Sequence, residues 1–139
     1  MLAGTLSGAP STIVALLTGR PVTESTRAAG ALLGKPGIVR GASAHAAITV
    51  LWTAALARVL PARNRAAWGA AAGLGIAAVD LGVIGRHIPE IRALPLLPQL
   101  ADHVAFGVIA SVVLKRCPVP ADIGGNGDGR AWSVSVLTG

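Results

Sequence analysis

Apolar residues fill every face of the stretch Gly41–Leu60, GASAHAAITVLWTAALARVL, with neither the period-2 alternation of a strand nor the polar stripe of a surface helix. No formally charged residue lies between Arg40 and Arg58, and Pro61 ends the run. At the rise of an α-helix these residues cover roughly 30 Å, the thickness of one hydrocarbon core. The pattern recurs. Ala66–Gly85 forms a second such run after the short turn PARNR, and a third extends from about Pro98 to Leu114, stopped by Lys115 and Arg116. Residues 2–18 are free of charge but interrupted by Gly, Ser, Thr and Pro10, with Ser11 placed to cap a helix through Ile13–Leu17. The expected fold is all-α, a polytopic bundle of four transmembrane helices over about 2–18, 41–60, 66–85 and 98–114. The alternative is three spans with a re-entrant N-terminal segment.

Between the spans the polar pattern predicts short connections. Thr23 and Glu24 read as a helix start, and Gly34 with Pro36 as its stop, giving an interfacial helix over Glu24–Leu33. Pro89, Pro95 and Pro98 exclude a continuous helix through RHIPEIRALPLLP. Residues 117–139 read as a flexible tail, with a Gly-rich piece and an alternation over Ser133–Leu137.

Composition agrees with a membrane location. Of the 139 residues 53% are hydrophobic and 13% charged, against about 25% charged in soluble domains. Mean hydropathy is +0.65. The net charge of +6 raises nucleic acid as a partner, but the basic residues are spread over every connection, and 3% aromatic content leaves no base-stacking platform. Anionic lipid head groups explain the basic excess more simply, and the plasma membrane is the expected location. Orientation stays open. Arg20, Arg27, Lys35, Arg40, Arg86 and Arg92 fall on one side, and Arg58, Arg63, Arg65, Lys115, Arg116 and Arg130 on the other. Cys117 is the single cysteine, so neither an internal disulfide nor a cysteine metal cluster can form.

Two patterns carry candidate chemistry. Gly69, Gly73 and Ala77 recur at four-residue spacing, a small-residue ridge that lets a second helix approach closely and suits helix packing or self-association into a homo-oligomer. His45, Asp80, Asp102 and His103 all fall about 6–8 Å inside the same membrane face if the spans are placed as above. Ionisable groups at that depth are expensive and point to function. Hydrogen bonds that hold helices together are the plainest use of them. A His–Asp pair can also relay a proton or handle a solute. No cofactor is expected, although two His with two Asp could hold a divalent metal, and His45 with His103 could ligate a haem. The piece Gly124–Gly129 lacks the ligands of a calcium loop and the Lys of a phosphate loop, and no G-x-S-x-G nucleophile context occurs. The leading functional reading is a structural or interaction protein rather than an enzyme. A proton-linked channel or transporter subunit is the alternative, and a haem oxidoreductase comes third.

The segments GAPST, GASAHAAITVLW and PQLADHVAFG resemble patterns in small, uncharacterised integral membrane proteins of bacteria. The resemblance covers most of Met1–Arg116 and leaves the tail out. It implies a membrane location and carries no activity or catalytic residue. The Ala-, Gly- and Arg-rich composition also suits a GC-rich genome.

Overall fold

The structure is a computed structural model that describes residues 6–116. Residues 1–5 and the expected tail over 117–139, with its Ser133–Leu137 alternation, lie outside the described residues. Every regular element among the described residues is helical. In chain order these are α1 (Ala9–Thr18), α2 (Glu24–Ala29) with a 3-10 continuation (Gly30–Leu33), and α3 (Ile38–Val59). Next come α4 (Arg65–Ala77), which passes into a π-helical segment (Ala78–Ile84) and a 3-10 turn (Gly85–His87), then α5 (Pro89–Arg92) and α6 (Leu96–Arg116).

Three helical stretches are long and apolar enough to cross a membrane: Ile38–Val59, Arg65–His87 and Leu96–Leu114. Of the first expected span, over 2–18, only residues 6–18 are described. Its described residues form a ten-residue helix, α1, which covers roughly 15 Å or half a hydrocarbon core. Gly19 ends it in the left-handed region, at φ 68°, where a residue without Cβ is favoured. Alternation of the three long helices places α2 and α5 at one end of the bundle, the platform end, where they touch. The 60–64 turn lies at the other, the hairpin end.

Helices in lipid gain little from the hydrophobic effect and associate instead through close packing. The tightest pair is α4 with α6, and glycine is the reason. A Cβ at Gly69 would run into the carbonyl of Gly107 and the side chain of Ser111, and one at Gly73 would strike the His103 carbonyl. A Cβ at Gly107 would in turn meet the Gly69 carbonyl. The ridge of Gly69, Gly73 and Ala77 is thus buried against α6 of the same chain, and self-association through it would require that contact to open. Ser111, wholly buried beside Gly69, donates its hydroxyl to the Val108 carbonyl at 2.7 Å and so leaves no bare polar atom in the seam.

Towards the hairpin end the three long helices share a core of Leu56, Ile76, Phe106 and Ala110. Large apolar residues elsewhere on these helices, including Leu51, Leu74, Val83 and Leu97, point outward. Trp68 is exposed in the first turn of α4, a position suited to an aromatic at a membrane–water boundary.

Candidate functional site

One helical turn from that core towards the platform end, the same three helices present Trp52, Asp80 and His103. Trp52 is four residues before Leu56, Asp80 four after Ile76, and His103 three before Phe106. These spacings keep each polar residue on the buried face that its apolar neighbour defines. The Trp52 indole Nε1–H donates to both Asp80 carboxylate oxygens, at 3.3 Å to Oδ1 and 3.1 Å to Oδ2. Side chains lean towards their own helix N-terminus. Because α3 and α4 are antiparallel, Trp52 and Asp80 therefore reach towards each other.

His103 faces the same carboxylate, with Nε2 3.5 Å from Oδ2. Its Nδ1 lies 2.7 Å from the Gln99 backbone carbonyl. A carbonyl oxygen only accepts, so Nδ1 carries a hydrogen by assignment from this geometry. The Nε2 lone pair of a neutral ring would then oppose a carboxylate oxygen. A proton on either Nε2 or Asp80 turns that repulsion into attraction. The pair therefore suits one shared proton. Both side chains are largely shielded, 21% exposed for His103 and 17% for Asp80.

Asp80 sits in the π-helical segment, where the Gly85 N–H reaches back five residues to the Asp80 carbonyl. Such wide turns often occur at functional positions because they rotate the side chains that follow out of α-helical register. A Cβ at Gly85 would press on the Asp80 carbonyl oxygen at 2.9 Å and on Ile91 Cγ2 at 2.8 Å. Glycine at this position lets the closing turn pack under α5.

Asp102 belongs to a second arrangement. Its Oδ1 accepts the backbone N–H of Ser11 at 3.0 Å. Helix α1 begins at Ala9, so Ser11 is not its cap but a first-turn residue whose N–H has no partner within the helix. Gly8, the cap residue, has no side chain to offer. The Asp102 carboxylate on α6 supplies the cap instead, with a favourable charge for a helix start. His45 is exposed.

Of the four residues singled out from sequence, Asp80 faces His103, Asp102 accepts from Ser11, and His45 is exposed on α3. They also lie farther from the helix ends than the sequence spacing suggests. The helices start earlier or end later than expected at the platform end, leaving His45 seven residues from Ile38, Asp80 seven from His87 and His103 seven from Leu96, or about 10 Å of helix. Among the described residues no three His, Cys, Asp or Glu side chains are grouped to hold a metal ion. Both ring nitrogens of His103 already face protein oxygens, so axial ligation of a haem would need one of those contacts to break.

Sequence reasoning missed Trp52, Gln99 and Ser11 as partners. A signal existed for Trp52, which follows His45 by seven residues and so shares its face, and an indole inside a bundle needs an acceptor. Backbone partners such as the Gln99 carbonyl and the Ser11 N–H leave no trace in side-chain chemistry.

Outside the helices that hold this cluster, Arg20 Nε and Nη2 grip both Glu24 oxygens at 2.8 Å. That hydrogen bond holds the Glu24 carboxyl below its ordinary value and the Arg20 guanidinium above its own. No protein-family model, curated protein or solved structure matches the chain.

Proposed function

We propose that this chain is a multi-pass integral membrane protein of the plasma membrane. Three helices cross and α1 enters only part of the way. We assign it a structural or interaction role, in which the polar cluster acts as an interhelical clamp. The observation that supports this reading best is the Asp80 carboxylate, which takes partners from both other long helices, Trp52 on α3 and His103 on α6. One side chain thereby ties together the three long helices. The resemblance to small bacterial membrane proteins points the same way as to location.

Two experiments test this reading. Alkaline carbonate should leave the chain in the membrane fraction, and its extraction would overturn the membrane reading. Thiol labelling of single cysteines at positions 2 and 118, in a Cys117→Ser background, should show them inaccessible from a common side. Labelling of both from one side would instead establish a fourth span.

A second reading has its own observation. The contact of His103 with Asp80, with Nδ1–H committed to Gln99, suits a site that holds and exchanges a single proton. Under this reading the chain is a proton-linked channel or transporter subunit. Reconstituted protein would then pass protons into liposomes with a pH dependence that His103→Ala abolishes. If the clamp is structural alone, neither wild type nor variant moves protons.

A further inference from the structure

At the platform end the chain folds back on itself with backbone against backbone. The Gly37 N–H donates to the Arg27 carbonyl at 3.1 Å. A Cβ on Gly41 would collide with the Thr26 carbonyl, and one on Gly30 would lie 2.6 Å from the Gly37 oxygen. Only glycines permit so close an approach of α2, its 3-10 continuation and the start of α3. The consequence is a concentration of charge. Arg27 shares the hydrogen bond with Gly37, Lys35 lies two residues before Gly37, and Arg40 adjoins Gly41. Three cations from three successive segments thus stand on one small rim, each exposed.

None of the three makes an ion pair among the described residues. Glu24 is held by Arg20, Asp80 by Trp52 and His103, and Asp102 by the Ser11 N–H. Glu90, on α5, is the remaining described carboxylate and has no ion pair with any of the three. Beside the cations the rim exposes large apolar side chains: Leu33 at 54%, Ile38 at 52% and Val39 at 80%. Cations alone would suit any polyanion. Cations bordered by bare aliphatic side chains suit a molecule with an anionic head and a hydrocarbon body.

We infer that this rim, formed by Arg27, Lys35 and Arg40 above Leu33, Ile38 and Val39, binds the head group of an anionic phospholipid in preference to a zwitterionic one. The lipid phosphate sits among the three cations and its acyl chains lie along the start of α3. The site rests on the membrane reading and fails separately from it. Extraction of the chain by carbonate sinks both, whereas a chain that stays in the membrane without lipid preference sinks this inference alone.

The test is lipid retention by the purified full-length chain in detergent, followed by native mass spectrometry with phosphatidylglycerol and phosphatidylcholine as probes. Wild type should retain phosphatidylglycerol over phosphatidylcholine. Each single change, Arg27→Gln, Lys35→Gln or Arg40→Gln, should lower phosphatidylglycerol retention about fivefold, the weight of one basic residue at an anionic surface. The double change Arg63→Gln/Arg65→Gln at the hairpin end should leave it unaltered. Arg27→Lys should keep most of the retention, which separates charge from folding. Equal retention of the two lipids, an unaffected Arg40→Gln variant, or displacement of phosphatidylglycerol by millimolar inorganic phosphate would each overturn the inference, the last by making the rim a site for a free anion.

Discussion

Asp80 Oδ2, in the π-helical segment, and His103 Nε2, on α6, face each other at 3.5 Å, while the far nitrogen of the same ring is fixed 2.7 Å from the Gln99 carbonyl. The distance exceeds that of an ordinary hydrogen bond and falls in the range of an ion pair. Asp80→Asn keeps an oxygen for the Trp52 indole but loses the charge that His103 faces. Its expected cost is about 1 kcal/mol of bundle stability, in line with polar contacts inside membrane proteins. Unfolding in mixed micelles with rising SDS fraction measures it.

Glycine at 73 is required in a way that glycine at 75 is not. A Cβ at position 73 runs into the His103 backbone, whereas one at position 75 meets nothing within 4 Å. Gly73→Ala should therefore push α4 from α6 and destabilise by about 1–3 kcal/mol, the usual range for overpacking. Gly75→Ala should stay within about 0.5 kcal/mol of wild type. The same SDS titration separates the two, and equal effects would contradict the helix seam described above.

Because Asp102 caps α1 through the Ser11 backbone, changing the two residues should have unequal effects. Ser11→Ala retains the N–H that donates to Asp102. Asp102→Ala removes its acceptor and should cost about 1 kcal/mol, as loss of a helix cap does. Amide exchange across Ala9–Thr18 should accelerate about fivefold in Asp102→Ala, equivalent to that energy, and clearly less in Ser11→Ala.

The pair Arg20–Glu24 predicts an acid-sensitive feature at the platform end. The hydrogen bond from Arg20 lowers the Glu24 carboxyl below its ordinary value. Its stabilising contribution is therefore present above the ordinary carboxylate range and lost as pH falls through the depressed value. The pair is partly exposed, so the effect is small and local. Carboxyl-detected NMR should place the Glu24 titration below that of a free glutamate, and Arg20→Gln should return it towards the ordinary value.

The long helices were legible because apolar runs of crossing length need no tertiary partner to be recognised, and the helix over Glu24–Leu33 was legible from its capping and stop residues. The first segment is described only in part. Its charge-free composition over residues 2–18 resembles a span, and its described part is helical from Ala9 to Thr18, where Gly19 turns the chain in the left-handed region. Common depth brought Asp80 and His103 into one hypothesis, since depth follows from counting residues along a helix. Rotation about the helix axis does not follow as simply once a π-helical segment intervenes, and the segment around Asp80 had no distinct sequence mark. That is why the division into an Asp80–His103 pair and an Asp102–Ser11 cap needed the structure.

The central claim is that Asp80 and His103 act on one another as part of a clamp across the bundle. A double-mutant cycle with Asp80→Asn, His103→Ala and the combined variant, read by SDS-titrated unfolding in mixed micelles, tests it most directly. The structure predicts a coupling energy of about 0.6 kcal/mol or more, the average for polar pairs between membrane helices, whose maximum is about 1.7 kcal/mol. Additivity of the two single changes within about 0.3 kcal/mol would contradict it.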